Sequence, residues 1–337
     1  MEIDTEKRDV IIVGGGPAGL SAAIFTRIDG WSTLILEGTW IGGQVAIAYT
    51  VMNYPGFPPG DGTILMENLE KQVTSPLPNG VGAEIRNEMV TEIDADEKIV
   101  VTKKNKYNAE AIILASGSTM QKLGVPGESE FLGRGVSYYA KRDYKNFTGK
   151  KVLVVGGGFA TAKSGILATS EADKVTWIHR QESMRARPFM VRRSEKAGVN
   201  IRYNTELKEI KGDNTVKEAV LVNNRTGEQE NMAVDWIVIC VGTEPNTKLA
   251  RTAGIELNGK YVETNRSMMT NKDGVFACGE ITGCKRHIVT SASSGSDAGM
   301  AVSEYLALEK VKRGETFEGA INGKYEEEYI EILRKKG

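Results

Sequence analysis

Cysteine and histidine are scarce in this chain of 337 residues, which limits the chemistry open to it. Its three cysteines include no C-x-x-C pair, and their odd number argues against a disulfide framework. Cys240 and Cys278 lie in apolar runs and are predicted to be small buried residues, whereas Cys284 lies in a polar loop and could be accessible. The two histidines, His179 and His287, are too few to predict a His/Cys metal centre.

Long apolar runs and a strong excess of one charge are also missing. No run reaches the roughly 18 residues that a membrane span needs, and the charged N-terminus, MEIDTEKRDV, has no apolar signal core. The formal net charge is −1, without the positive excess that is typical of nucleic-acid binding. We therefore expect a cytoplasmic protein with no membrane or nucleic-acid partner, long enough for about two domains.

Two segments of the chain, residues 9–38 and 151–181, repeat one pattern. Each indicates a buried strand, a glycine turn, a helix and a second strand, which is the order of a dinucleotide-binding βαβ unit. Further strands are predicted within 111–118, 235–247 and 274–280, and glycine- and proline-containing stretches offer two crossings between domains. The pattern predicts a first domain over residues 1–118 and 246–337, with a second domain, residues 119–245, inserted in it.

The first glycine turn has the residues that a bound dinucleotide requires. Gly14 permits the tight turn, Gly16 lets the backbone approach a pyrophosphate, and Gly19 lets the helix pack on the strand. The N–H groups at the helix start would face the phosphates. Glu37 ends the second strand at a distance where a carboxylate can hold ribose hydroxyls.

The second segment departs from the first at its turn and at the end of its second strand. Gly156 and Gly158 match, but Thr161 replaces the third glycine and Phe159 lies on the turn. The strand ends in His-Arg-Gln at 179–181 and not in an acid. A cation there suits a 2′-phosphate and hence NADP over NAD; a solvated basic loop is the alternative.

The order of shorter motifs along the chain resembles that of the low-molecular-weight thioredoxin reductases, the class II pyridine nucleotide-disulphide oxidoreductases. The resemblance runs from about residue 9 to residue 308. It implies an α/β fold of two Rossmann-like, three-layer ββα domains, for FAD and NAD(P)H, usually in a homodimer. The motifs are GGGPAG at 14–19, GGQ at 42–44, NYPGF at 53–57, ASGS at 115–118, GVPGE at 124–128, GRGVS at 133–137, GGG at 156–158, HRQ at 179–181, CVGTEPN at 240–246 and VFACGE at 275–280.

The resemblance also implies which residues hold the two cofactors. A helix is expected over the run TSASSGSDAGMAVSEYLAL, with its positive end toward the flavin. Glu280 stands where family members usually have Asp. The implied FAD contacts are Gly14, Gly16, Pro17, Ala18, Glu37, Gly43, Gln44, Asn53, Ser116, Gly117, Gly279, Glu280, Arg286, His287 and Ile288, and the implied NADP contacts are Gly156, Gly158, Phe159, Ala160, His179, Arg180 and Arg185.

The chain departs from the family where a redox-active C-x-x-C should follow GRGVS. Tyr139 and Arg142 occupy the two cysteine positions, and neither can cycle through a disulfide. The thioredoxin-reducing route should therefore be absent, so that an acceptor meets the flavin directly or through another protein. Thioredoxin-reductase-like ferredoxin–NADP reductases also lack the pair. By that resemblance Tyr325 or Tyr329 of the C-terminal extension would cover the flavin, and a surface amphipathic helix is the alternative.

Two changes in the second nucleotide site bear on the choice of nucleotide. One of the family's usual two adjacent arginines is Gln181 here, which predicts weaker NADPH binding or the use of NADH as well. Lys163, on the first turns of the following helix, could instead add a phosphate contact.

We therefore predict an FAD-dependent NAD(P)H oxidoreductase that passes electrons to an external acceptor, with ferredoxin as the leading candidate. Residues 120–212 contain 18 Lys and Arg against 9 Asp and Glu, a basic surface that could steer an acidic iron–sulfur protein. Three alternatives stay open: an NAD(P)H oxidase or diaphorase, a thioredoxin reductase that works through Cys284, and a flavin-bound redox sensor without nucleotide turnover.

Overall fold

The computed structural model describes residues 5–46, 50–77 and 82–315, so the predicted roles of Tyr325 and Tyr329 lie outside the described residues. Its helices are α1 (Pro17–Ile28), α2 (Gly62–Thr74), α3 (Ala140–Asp143), α4 (Phe159–Ala168), α5 (Pro188–Lys196), α6 (Lys248–Thr252) and α7 (Ile288–Arg313). Its strands are β1 (Thr5–Val13), β2 (Thr33–Glu37), β3 (Glu84–Asn87), β4 (Val90–Asp94), β5 (Ile99–Thr102), β6 (Lys106–Leu114), β7 (Ser118–Met120), β8 (Val136–Ser137), β9 (Lys151–Val155), β10 (Lys174–Ile178), β11 (Asn200–Arg202), β12 (Thr205–Gly212), β13 (Val216–Asn223), β14 (Gln229–Ala233), β15 (Trp236–Ile239), β16 (Thr243–Pro245), β17 (Leu257–Asn258), β18 (Tyr261–Val262) and β19 (Val275–Ala277).

The chain divides into two compact units. The first contains the described residues up to Ser118 and from Pro245 onward, and the second is Thr119–Glu244. The first unit has a seven-stranded sheet in the order β3-β2-β1-β6-β5-β4, and β19 pairs with the end of β6. The strands β3, β2, β1, β6 and β19 run parallel, whereas β5 and β4 are antiparallel to their neighbours.

The side chains of β1 point alternately to the two faces of the sheet, and this alternation explains the layers of the first unit. Val10 and Ile12 are fully buried among side chains of α1, α2 and α7, whereas Ile11 and Val13 pack with residues of β4 and β5 on the other face. Successive side chains of a strand point to opposite faces, so an unbroken apolar strand needs cover on both. One face of the parallel sheet therefore has helices and the other has strands.

The second unit repeats this arrangement. Its parallel sheet has the order β11-β10-β9-β15-β8, and a separate antiparallel sheet has the order β12-β13-β14. Val152 and Val154 of β9 pack with α4 and α5, whereas Leu153 and Val155 pack with the antiparallel sheet. Two Rossmann-like three-layer domains, the second inserted in the first, are therefore present, and the predicted fold class is confirmed.

All three cysteines are free thiols. Cys278 is buried in the core of the first unit, as predicted. Cys240 is partly exposed, contrary to prediction, because β15 ends at Ile239 and Cys240 begins the loop; burial of its thiol still raises the pKa to about 11. In the described part of the chain, no group of His, Cys, Asp and Glu could hold a metal ion. Across the described ranges, no helix has both the length and the apolar character of a membrane span.

Candidate functional site

The turn between β1 and α1 is shaped by three glycines. Gly14 has a φ of +117°, and a Cβ placed on it would overlap the carbonyl oxygen of Ala115. A Cβ on Gly19 would overlap the carbonyl oxygen of Gly14, so the helix crosses directly over the turn. A Cβ on Gly16, in contrast, would meet no described atom within 4 Å. The turn is therefore closed toward the strands and open at Gly16, where a ligand can approach the backbone.

The first turn of α1 can receive an anion. Gly16 is the extended N-cap and Pro17 opens the helix; among the described residues, no side chain caps the turn and no acid lies in it. Its free N–H groups and the helix dipole attract phosphate. The segment after β2 forms a wall of the same space, because the Gly42 N–H donates to the carbonyl oxygen of Gly15 at 2.8 Å. A Cβ on Gly43 would lie 3.5 Å from the Cα of Gly16.

Glu37 lies beside the turn at the end of β2. Its Oε2 accepts the N–H of Gly15 at 2.8 Å. Its Oε1 accepts the backbone N–H of Thr39 at 2.8 Å and the Thr39 hydroxyl at 2.7 Å. These bonds fix the carboxylate, and its remaining lone pairs could accept ribose hydroxyls.

A second set of hydrogen bonds holds the loop that follows β6. Gln44 donates from Nε2 to the carbonyl oxygen and the Oγ of Ser118, at 2.7 and 2.8 Å. Asn246 donates from Nδ2 to the carbonyl oxygen of Ser116 at 2.7 Å, and the Ser116 hydroxyl donates to the carbonyl oxygen of Asn246 at 3.1 Å. Gly117 lies between these bonds with a φ of +61°, so the bonds keep its backbone in a conformation that favours glycine.

The start of α7 lies beside the start of α1. A Cβ on Gly295 would overlap the carbonyl oxygen of Ala18, and a Cβ on Gly279 would lie 2.7 Å from the Cβ of Ala18. The Gly279 N–H also donates to the Oγ of Ser294 at 3.0 Å. Ala18 and Gly279, which are both expected to contact FAD and lie far apart in the sequence, are therefore close to each other in the structure.

Glu280 and Arg286 form an ion pair at this end of α7. The Nε of Arg286 lies 2.6 Å from Oε1 of Glu280, with 18% of the Glu280 side chain exposed and 52% of Arg286. His287 is the exposed N-cap of α7, and Ile288 is half-buried. Asn53 is exposed in a separate loop, and none of the described contacts joins it or His287 to the glycine turn.

The glycine turn of the second unit has the same geometry with different side chains. Gly156 has a φ of +143°, and a Cβ on it would overlap the carbonyl oxygen of Cys240. Thr161, which replaces the third glycine, accepts the Gly158 N–H at 3.3 Å and donates to the carbonyl oxygen of Cys240 at 3.4 Å. A Cβ on Gly158 would meet no described atom within 4 Å, so this turn is open where the first one is.

His179 takes the place that Glu37 has in the first unit. It follows β10, and β10 pairs with β9 as β2 pairs with β1. The imidazole lies over the turn, with Nε2 2.5 Å from where a Cβ on Gly157 would be. The side chain is buried, and its Nε2 has no hydrogen-bond partner among the described residues. Desolvation, and next the charge of Arg185, lower the pKa of His179, which disfavours the charged form of the ring.

Cations surround the turn of the second unit. Arg180 and Arg185 are both exposed, and both lie near enough to His179 to lower its pKa. Phe159 and Ala160 open α4 and are exposed as well. The second unit thus places positive charge where the first places a carboxylate, and such a site suits a 2′-phosphate.

Sequence reasoning missed several residues that complete these sites. Thr39 fixes Glu37, and Asn246 fixes the Ser116 loop from a distant part of the chain. Gly295 and Gly299 let α7 approach α1, where a Cβ on Gly299 would lie 2.5 Å from the carbonyl oxygen of Ala22. Their four-residue spacing on one helix face was a readable signal of close helix contact.

Comparison with known proteins supports the class that these sites define. A family model described as pyridine nucleotide-disulphide oxidoreductase matches residues 8–299. The thioredoxin reductase of Bacillus subtilis is 39% identical over 303 residues, covering 88% of this chain and 94% of that protein. A crystal structure of Lactococcus lactis thioredoxin reductase, in its FR conformation, matches with a TM-score of 0.81 at 32% identity, covering 89% and 99% of the two chains. A 34.2 kDa protein in the rubredoxin operon of Clostridium pasteurianum is 31% identical over 309 residues, covering 90% and 98%.

The chain therefore belongs to the pyridine nucleotide-disulphide oxidoreductase family and is similar to the low-molecular-weight thioredoxin reductases within it. It is an NAD(P)H-dependent flavoprotein oxidoreductase, and the thioredoxin reductase family uses FAD and NADPH. The residues present fit FAD on the first unit, because the open cradle at Gly16, the uncapped start of α1 and the fixed Glu37 are what a pyrophosphate and a ribose need.

Replacing Gln181 with Arg should shift the nucleotide preference toward NADPH. Gln181 is exposed beside Arg180, so a second guanidinium would add a charge-assisted bond to a 2′-phosphate, worth roughly 1.5–3 kcal/mol or about tenfold or more in affinity. The ratio of kcat/KM for NADPH and NADH measures this. Gln229→Arg, on exposed β14, adds the same charge elsewhere in the unit and should leave the ratio unchanged. Equal improvement with both nucleotides would contradict the assignment.

Proposed function

We propose that the protein oxidises NAD(P)H and passes electrons from FAD to an external one-electron carrier, a ferredoxin or a protein of similar chemistry. The observation that carries this proposal is the set of contacts made by Tyr139 and Arg142, which stand where the family has its two redox-active cysteines. Tyr139 is the N-cap of α3, and the guanidinium of Arg142 lies over its ring, 5.2 Å from the centroid. Arg142 also pairs with Asp143 at 2.9 Å. The charge of Arg142 is thus paired with Asp143 and with the Tyr139 ring, and none of these side chains offers a thiol for disulfide exchange.

The remaining thiols give little support to an internal dithiol route. Cys284 is half-buried, with its Sγ 3.9 Å from the Oγ of Ser291. Burial, the largest cause, raises the pKa of Cys284, which disfavours the thiolate that exchange requires. Cys278 is fully buried, and burial raises its pKa too. A thioredoxin reductase that works through Cys284 is therefore the weaker candidate.

An acidic carrier would be attracted by the charge of the second unit. Several of its cations, Arg180, Arg185, Arg187 and Arg192 among them, are exposed and form no ion pair with a described acid. Such a surface raises the rate at which an acidic protein associates. The relative in a rubredoxin operon is consistent with a small iron protein as partner.

The protein's own residues bind and orient the cofactors in this proposal, while FAD supplies the exchange between hydride and single-electron transfer. Gly14, Gly16 and Glu37 hold the adenine dinucleotide part of FAD, and the start of α7 faces the flavin. Gly156, Gly158 and Arg180 hold the nicotinamide nucleotide. We also propose a homodimer, the usual assembly of the resembled family.

Anaerobic reduction of ferredoxin by NADPH tests the proposal. We expect bleaching of ferredoxin that requires the protein, with a rate that falls as salt rises because exposed charges are screened within about 10 Å at 0.1 M. If neither NADPH nor NADH supports it, the proposal fails. Oxygen uptake in parallel would favour an oxidase, and thioredoxin reduction that Cys284→Ser abolishes would favour the thiol route. A flavin that neither nucleotide bleaches would indicate a sensor.

A further inference from the structure

We propose that Lys163 and Phe159 form a side-chain clamp on the pyrophosphate of the dinucleotide in the second unit, a device that the first unit lacks. The inference rests on the proposed function only in taking a nicotinamide dinucleotide as the ligand of this unit. Phe159 and Lys163 are residues at which the second unit differs from the corresponding positions of the first unit.

The geometry brings the ammonium of Lys163 to the start of α4. Phe159 is the first residue of this ten-residue helix and is 50% exposed, and Lys163 is the fifth residue. Side chains on a helix lean toward its N-terminus, so the Lys163 stem runs back over the first turn. Its Nζ lies 5.2 Å from the centroid of the Phe159 ring, a cation–π arrangement. The aromatic ring therefore holds a cation at the place where the helix N–H groups point.

Two observations at the same turn indicate a ligand. The Cβ position of Gly158 is open, with no described atom within 4 Å, so a phosphate can reach the backbone there. The buried imidazole of His179 lies over Gly157 with its Nε2 lacking a described partner. A buried polar nitrogen without a partner is costly, and a bound ribose or phosphate oxygen would satisfy it.

The charges around Lys163 favour an anion. Desolvation, and next the positive charge of Arg193, lower the pKa of Lys163. Arg193 is an exposed residue of α5, which packs on α4. Two neighbouring cations repel each other in the free protein, and an anion placed between them relieves that repulsion.

The first unit provides an internal comparison. Its corresponding residues, the first and fifth of α1, are Pro17 and Ser21, and Ser21 is buried because α7 covers that helix. The first unit therefore depends on backbone N–H groups for its pyrophosphate, whereas the second adds a lysine. Thr161 explains why the addition is useful, since its Oγ1 already takes the N–H of Gly158 from the turn.

If the clamp is present, removing Lys163 should lower the affinity for the nucleotide whether or not it carries a 2′-phosphate. The ammonium of Lys163 lies by Phe159 at the start of α4, whereas Arg180 follows the end of β10, where the ribose would lie. Lys163→Met should weaken the binding of NAD⁺ and NADP⁺ alike, by about tenfold or more, since one charge-assisted bond is lost. Lys163→Arg should keep most of the affinity, and Phe159→Ala should lose part of it. Arg180→Gln should weaken the binding of NADP⁺ only.

Titration calorimetry of the oxidised, FAD-loaded protein with NAD⁺ and with NADP⁺, which differ only in the 2′-phosphate, measures these losses without turnover. Lys174→Met is the matched control, because Lys174 is an exposed lysine of the same unit at the first residue of β10, the end of that strand away from Arg180. An unchanged NAD⁺ affinity in Lys163→Met, or an equal loss in Lys174→Met, would overturn the clamp while leaving the proposed function intact. A wild-type protein that binds neither nucleotide would overturn both.

Discussion

Gly16→Val should yield a folded protein that has lost most of its FAD, whereas Gly158→Val should keep FAD and lose reduction by NADPH. The two positions are equivalent N-caps with extended backbone, which valine can adopt. A Cβ at either site points into space that is open in the protein and would be filled by a pyrophosphate. Crowding of this kind costs roughly 1–3 kcal/mol, which corresponds to about tenfold to a hundredfold in affinity.

The pair of variants controls for the cost of valine as an N-cap, because that cost is about 1 kcal/mol in both. The ratio of flavin absorbance to protein absorbance after gel filtration measures FAD retention, and anaerobic bleaching measures the second site. Loss of FAD from Gly158→Val, or full retention in Gly16→Val, would contradict the placement of FAD on the first unit.

Gly295→Ala should strongly destabilise the first unit. Its new methyl would overlap the backbone carbonyl of Ala18, which cannot rotate away as a side chain can. The helices α1 and α7 would have to separate, and we expect a loss of about 3 kcal/mol of stability despite the helix-favouring change to alanine. Gly165→Ala in α4 is the matched control, since its methyl would lie 3.5 Å from Val199, an ordinary contact.

Thermal unfolding followed by the fluorescence of released flavin reports on the first unit. About 3 kcal/mol corresponds to a decrease of roughly 6–12 °C in Tm for a unit of this size. Gly165→Ala should leave this transition unchanged and should raise the stability of the second unit by up to about 1 kcal/mol. If Gly295→Ala unfolds at the wild-type temperature, α7 does not pack on α1 as described.

Much of the fold could be predicted because its signals are local. The strand–glycine–helix order at residues 9–38 and 151–181 needs only neighbours in the chain, and the structure has β1, α1 and β2 where it predicts them. The two-layered cover of each sheet follows from unbroken apolar strands such as VIIV before Gly14. The helix expected from the family pattern over residues 290–308 is present, within α7.

The contacts within each site were less accessible to sequence reasoning. Nothing local in the sequence joins Asn246 to Ser116, since these residues are 130 positions apart and meet only when the chain folds. The ion pair of Glu280 with Arg286 depends on how the turn before α7 folds. The extra exposure of Cys240 depends on the place where β15 stops.

By itself the sequence determined the two dinucleotide folds, the cation Arg180 near the position where the first unit has an acid, and the absence of the dithiol at Tyr139 and Arg142. Only the tertiary structure decided that Gly279 and Gly295 close on Ala18, that the imidazole of His179 lies over Gly157, and that Lys163 reaches the start of α4. The physical reason is the distance along the chain over which each effect acts. Backbone propensity and side-chain alternation act between neighbours in the chain, whereas burial, steric fit and paired charges depend on residues that only folding brings together.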